Sequence, residues 1–291
     1  MKRNIRNLLV LLKATYSDFL YNKKHIQNRD NGGLYVDFAN LRMYCHMLDK
    51  AMNNPNFETG HSLKIYRAAK QIQQKISSTF AKDKAFCWTN EIISRFENAQ
   101  KTGKPILKIV SQQKYSEEEI TFISQFITSR ISCRNFIDKK IESNIIRDIV
   151  SLAIDAPNGC CRQTVRFRIT QNKNIIQNIT PAIAGITNFT NIQCLVAVCA
   201  ESSFYNLVDK NLQYVDASLA AENFILAARL YGIYGTMCNF FHASIIEQKK
   251  VKENLDIAKT ENIVMVIALG YPKTLPEKPI RCNVESFYKE I

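Results

Sequence analysis

The chain has 291 residues, 46% hydrophobic and 22% charged, enough to bury the core of one large domain or of a domain with an appendage. With nine glycines and seven prolines it is neither collagen-like nor a Pro/Gly-rich disordered chain, and no apolar run approaches the roughly 18 residues a membrane-spanning helix needs. The net charge of +13 is uneven: residues 1–110 hold 19 Lys/Arg against 8 Asp/Glu, whereas residues 111–291 hold 20 against 18.

Residues 1–24 read as a basic amphipathic helix with Ile5, Leu8, Leu9, Leu12 and Tyr16 near one face. Such a stripe suits a membrane surface, or packing on its own domain. The charge suits anionic lipid, an acidic partner or nucleic acid, against the simpler reading of a solvated Lys/Asn-rich surface. Nucleic acid is not among the expected partners. A turn-rich break at 28–33 leads to helical stretches over 36–52 and 62–98, separated by a loop at 53–60. Residues 101–114 read as a linker, so the expected division is a basic helical extension over 1–110 and a second domain over 111–291.

Ser116 and Glu119 form a capping-box pattern that opens a new helix, with Ile120, Ile123, Phe126 and Ile127 as its expected buried stripe. A second helix carries Ile145, Ile146, Ile149, Val150 and Ala153 and stops before Pro157. Residues 165–169 alternate like a half-buried strand, and the continuous apolar runs at 192–200 and 263–269 suit buried strands. Between those runs, 216–231 is apolar nearly all round, which predicts a buried helix ended by Gly232. The order predicts a mixed α+β fold.

Nine cysteines, an odd number with no secretory leader visible, fit a reducing cytoplasm better than a disulfide framework. Cys194, Cys199 and Cys238 lie in apolar runs, where a thiol acts as a small hydrophobe. The four histidines (His25, His46, His61, His242) form no metal or triad signature, so no metal site is expected. With no P-loop and no GxGxxG after a strand, any chemistry belongs to a bound cofactor.

Four segments stand out. In extended chain Arg130, Ser132 and Arg134 share one face, and two guanidiniums with a hydroxyl suit a phosphate or another anion. Residues 156–163 (APNGCCRQ) form a loop of small residues after a helix. Residues 232–240 (GIYGTMCNF) follow the buried helix, and Gly270-Tyr271-Pro272 ends the last strand, with Arg281 downstream.

In this order the segments resemble the nitroreductase family of flavoproteins, whose pattern runs Arg-Arg-Ser-x-Arg-x-Phe, Ala-Pro-Ser-x-x-Asn-x-Gln-Pro-Trp, Leu-Gly-Leu-Gly and Gly-x-Pro. The resemblance covers about residues 116–285. Upstream, His46-Met-Leu-Asp-Lys50 and the 55–60 element PNFETG are similar to His-x-Leu-Glu-Lys and Pro-x-Phe-x-x-Gly of longer members with a helical N-terminal extension. Those members often belong to surface-polysaccharide gene clusters. The resemblance implies a nitroreductase-like mixed sheet packed with helices, FMN bound in sites shared across a homodimer, NAD(P)H as reductant, and a small-molecule acceptor. Arg130 and Ser132 fall near the FMN phosphate and ribityl chain, and Arg281 closes on the phosphate. Arg134 matches the basic residue at the flavin N1/O2 edge, where positive charge stabilises the reduced flavin. Pro157, Asn158, Gly159 and Cys161 match the loop contributed by the partner subunit. Cys238 and Asn239 match the segment facing N5, and Asn188 falls toward the pyrimidine edge.

The sequence departs from the pattern at Cys161, where Asn is usual, at Thr164-Val165 in place of Pro-Trp, and at Ser129 in place of the first arginine. The competing readings are a non-catalytic scaffold of the same fold in polysaccharide assembly, and a basic adaptor. Residues 36–98 are also expected to cover the site as a lid.

Overall fold

The computed structural model describes residues 2–107, 111, 113–241 and 243–291, with the side chains of 2–10, 13, 14 and 17 outside the description. His242 and the stripe positions Ile5, Leu8 and Leu9 therefore lie outside the described residues or side chains.

Helix α1 (Lys2–Asp30) runs beyond the predicted end at 24, through the first part of the expected break. Its middle exposes Leu11, Leu12, Tyr16 and Phe19, and its last turns dock. Gln213 and Asn262 each donate to the Tyr21 hydroxyl at 2.6 and 3.0 Å, and Arg29 donates to the Tyr205 carbonyl at 3.1 Å. Helices α2 (Gly33–Met52), α3 (Leu63–Phe80) and α4 (Lys84–Thr102) close a core of their own around Leu41, Leu48, Ile76, Ile92 and Phe96. The predicted 62–98 stretch is thus two helices. Asp83 makes the break: its carboxylate accepts from the amides of Ala85 and Phe86, capping α4. No described helix is long and apolar enough to cross a membrane.

Helix α5 (Glu117–Thr128) carries the capping box as expected, the Ser116 hydroxyl accepting from the Glu119 amide and the Glu119 carboxylate from the Ser116 amide. Its predicted buried stripe is corrected: α5 buries no residue, and Phe122 and Ile127 are 69% and 52% exposed. The reason is placement: among the described residues Arg229 of α8 covers Phe126, 4.9 Å from its ring centroid, and the rest of the apolar face stays exposed. After it come β1 (Asn135–Phe136), α6 (Ser143–Ala153), β2 (Val165–Thr170), α7 (Lys173–Ile179), β3 (Cys194–Glu201), α8 (Leu212–Leu230), β4 (Tyr234–Asn239), α9 (Ile245–Asn254), β5 (Glu261–Gly270) and β6 (Pro272–Thr274).

The sheet has the order β2-β3-β5-β4 with antiparallel neighbours, and β1 pairs with β6. One parallel bridge joins Asn135 to Thr190. Period-two geometry sorts the central strand: Cys194, Val196, Val198 and Ala200 face α6 and α8, while Leu195 faces the α7/α9 side. Helix α8 buries Ala217, Ala221, Phe224 and Ala228 but leaves Val215 and Leu219 exposed, so it is covered on one side rather than all round. Strand β4 comes from a segment that carries little apolar alternation. A Cβ at Gly235 would stand 2.8 Å from the Ala268 carbonyl oxygen, so glycine allows β4 to close on β5.

Candidate functional site

Residues 129–136 lie against the edge strand β4. The Arg229 guanidinium donates to the Phe126 carbonyl at 2.6 Å and to the Ser129 hydroxyl at 2.9 Å, fixing the exit of α5. The Cys133 amide donates to the Gly235 carbonyl at 3.3 Å, and the Thr236 hydroxyl to the Cys133 carbonyl at 2.7 Å. Cys133 is fully buried, so alternation turns Arg130, Ser132 and Arg134 the other way. There the C-terminal segment meets them: Arg130, Ser132, Arg134, Lys278 and Arg281 line one cleft of about 330 Å³, with Glu277 as its acid. Ion pairs among the described residues engage Arg95, Arg162 and Arg168 and leave out Arg130, Arg134 and Arg281. A cleft with this donor set suits a phosphoryl group.

Asn188, Cys238 and Asn239 do not line this cleft; one backbone path connects them to its arginine segment. The Ala184 amide donates to the Asn239 carbonyl at 3.3 Å and the Thr190 amide to the Arg134 carbonyl at 3.0 Å, so the 184–190 loop spans from β4 to the arginine segment. The Arg134 guanidinium carbon stands 5.9 Å from the Phe189 ring centroid. Asn188 is exposed on this loop, and the Asn239 side chain accepts from the Phe241 amide at 2.7 Å. Cys238 points into the apolar core, and burial pushes its thiol up to about 11, with Arg134 pulling the other way.

Residues 157–161 lie elsewhere. Pro157 and Asn158 line a second cleft, between α2 and β2, that shares no lining residue with the first. The loop is strained: Cys160, Cys161 and Gln163 have φ of 55°, 55° and 54°. Left-handed backbone costs a non-glycine residue about 1–2 kcal/mol. Its surroundings hold it there. The Gly159 amide donates to Asp216 Oδ1 at 2.9 Å and the Gln163 amide to Asn158 Oδ1 at 2.9 Å. Buried Arg162 pairs with Asp209 at 2.7 Å, and its carbonyl accepts from Arg42 at 2.6 Å. Asp216 also accepts from the Tyr205 hydroxyl at 2.7 Å and the Thr164 hydroxyl at 3.2 Å. Strain of this kind persists only where the surrounding contacts over-determine it. Burial raises the Cys161 thiol above its ordinary value even though Arg42 draws it down.

A nitroreductase family model matches this chain over residues 127–202 and 187–271, overlapping stretches that contain both clefts' loops except the C-terminal arm. Over residues 127–271 the chain belongs to the nitroreductase family. A protein of Archaeoglobus fulgidus with the provisional name NADH dehydrogenase/NAD(P)H nitroreductase is 27% identical over 149 residues, 51% of this chain and 84% of that protein. A nitroreductase-like protein of Streptococcus mutans superimposes with a TM-score of 0.53 at 18% identity, covering 59% of this chain and 98% of its own. A protein of Parabacteroides distasonis carrying the same provisional name as the Archaeoglobus one superimposes at 0.51, with 19% identity and 57% and 96% coverage. The two structural likenesses carry the fold.

Within one copy, the fold brings Arg130, Ser132, Arg134 and Arg281 together, links Asn188, Cys238 and Asn239 to that segment through the 184–190 backbone, and keeps Pro157, Asn158, Gly159 and Cys161 apart. Sequence reasoning missed Lys278, whose signal was its place three residues before Arg281. It also missed Arg42 and Arg166 of the second cleft, which read only as helix and strand members.

Proposed function

We propose that the protein is an FMN-dependent oxidoreductase in which NAD(P)H is the reductant and a small molecule the acceptor, working as a homodimer with shared sites. On this reading residues 111–291 are the flavin-binding domain and 1–110 a helical extension. The convergence of Arg130, Ser132 and Arg281 on one cleft, without ion-pair partners among the described residues, carries the proposal. The fit to FMN is good at the phosphate, where guanidiniums and a hydroxyl supply charge-assisted donors. It is poorer at Cys161, which offers a thiol in place of an amide.

When bound, FMN would supply the two-electron chemistry between NAD(P)H and the acceptor, the two being used in ping-pong order. Arg130, Ser132 and Arg281 hold the phosphate. Arg134 provides positive charge to the pyrimidine edge and Asn188 lies toward the same edge. Asn239, which accepts from the Phe241 amide, would keep its loop in place beside the hydride-transferring edge, and Cys238 would fill the core behind it. The partner's 157–161 loop completes the site, which accounts for its distance from the phosphate cleft within one copy. The exposed apolar side chains of α5 and Val215 and Leu219 of α8 are the surfaces such a dimer covers.

The test is Arg281→Ala with two flavins. Loss of a phosphate contact weakens FMN binding about tenfold and leaves riboflavin, which lacks the phosphate, unchanged. Equal losses for both remove Arg281 from the phosphate site.

A further inference from the structure

The second cleft is a cavity of about 410 Å³ between the helical extension and the nitroreductase domain. Phe38, Phe80 and Phe204 give it aromatic walls, and Arg42 and Arg166 give it charge. The Arg42 guanidinium carbon lies 4.3 Å from the Phe38 centroid and 6.0 Å from that of Phe204, and Arg166 lies 5.5 Å from Phe204. Two cations therefore share one ring.

Neither cation has a carboxylate ion pair among the described residues. Arg42 is 4% exposed, donates to the neutral Arg162 carbonyl, and leaves its buried Nε without a hydrogen-bond partner. Arg166 donates to the carbonyls of Gln163 and Val165. The acids nearby are committed. Asp216 accepts from Gly159, Thr164 and Tyr205, and Asp83 caps α4. Glu201 accepts from Ser203 and Thr260, and Glu261 pairs with Arg168. Asp155 lies at the exposed mouth. Burial, and then the neighbouring Arg166, push Arg42 down to about 10, and burial also lowers Arg166. A bound anion relieves both. An inorganic anion would leave the aromatic walls unused, whereas an aromatic ring fills them.

We propose that this cavity binds a planar aromatic carboxylate, its carboxylate taken by Arg42 and Arg166 and its ring held among Phe38, Phe80 and Phe204. Pro157, Asn158 and Gln163 shape one side and Tyr35, Phe38 and Phe80 of the helical extension the other, so the extension selects the ligand. That the ligand is the enzyme's electron acceptor rests on the flavin reading above; that the cavity binds it does not.

The test titrates the full chain by calorimetry with 4-nitrobenzoate and with uncharged 4-nitrobenzyl alcohol, in wild type, Arg166→Gln and Arg42→Lys. Arg166 bonds only to carbonyls of its own strand entry, so its loss spares the core. Arg42→Lys keeps a cation and a donor near the Arg162 carbonyl. Melting temperature and flavin content are recorded for each. Wild type binds 4-nitrobenzoate at least about tenfold more tightly than the alcohol. Arg166→Gln loses about tenfold for the carboxylate and nothing for the alcohol, and Arg42→Lys loses several-fold with the planar fork. Equal binding of the two probes, no saturable binding, or unchanged carboxylate affinity in both folded variants overturns the site. With NAD(P)H, a KM for 4-nitrobenzoate that rises in Arg166→Gln while that for the alcohol holds supports the acceptor role. Carboxylate binding in a protein that takes up no FMN keeps the site and removes the oxidoreductase reading.

Discussion

Cys161 and Arg281 stand at opposite ends of the proposed flavin, and they differ in how far chemistry fixes their roles. Arg281 has a donor set around it that suits an anion. Cys161 occupies a left-handed position with no amide to offer. Cys161→Asn restores a hydrogen-bonding amide and is well suited to positive φ, so FMN binding tightens, as a fluorescence titration reads. Unchanged or weaker binding means that the loop repacks and the residue correspondence fails there. The thiols give a second expectation. Burial holds Cys45, Cys194 and Cys199 up at about 12 and Cys238 at about 11, so all four stay protonated at pH 8. A brief maleimide pulse followed by mass spectrometry labels exposed Cys87, Cys160 and Cys282 and spares those four. Raising the pH from 7 to 9 leaves the four spared. The Arg130/Ser132/Arg134 face was legible from alternation alone, because a period of two is local. Arg42 and Arg166 were not, because their meaning comes from Phe204, distant in sequence from Arg42.

At the level of elements, Asp216 on α8 fastens the strained loop through Tyr205, Thr164 and Gly159. Tyr205→Phe removes one buried donor and costs about 1–3 kcal/mol in urea unfolding. Because the same network holds 159–164, flavin retention falls with it; full stability with full retention contradicts this role. Arg168 donates to buried Glu261 across the sheet, through β2 and β5. Arg168→Met strands that carboxylate and costs about 3 kcal/mol, the low end for a broken buried pair because Arg168 is partly exposed. The capping box at Ser116 was legible because two residues make it. The burial of α5 was not, since the sequence shows an apolar stripe without showing what covers it. The division of 62–98 lay in Asp83, a cap signal without a glycine or proline to announce it. Strand β4 escaped because Gly235 and Thr236 break its apolar pattern.

At the level of the whole molecule, most of the net positive charge sits in residues 1–110 while the proposed phosphate cleft lies after residue 129. A cut at residue 24 looks natural from sequence, but it removes Tyr21 and Asn22, which bond to Gln213, Asn262 and Lys210. Deletion of residues 1–24 therefore lowers the melting temperature further than deletion of residues 1–18. Equal melting temperatures contradict the docking of the last turns of α1. The helical extension also contributes Phe38 and Arg42 to a cavity shared with the nitroreductase domain, so the two parts act on one ligand. The oxidoreductase reading depends on the protein holding FMN and exchanging electrons through it. The most direct measurement is the absorption spectrum of gently purified protein, before and after anaerobic addition of NADH or NADPH. The account predicts an oxidised-flavin spectrum, released on denaturation as FMN and bleached by one of the two nucleotides. A colourless protein that takes up no added FMN contradicts it.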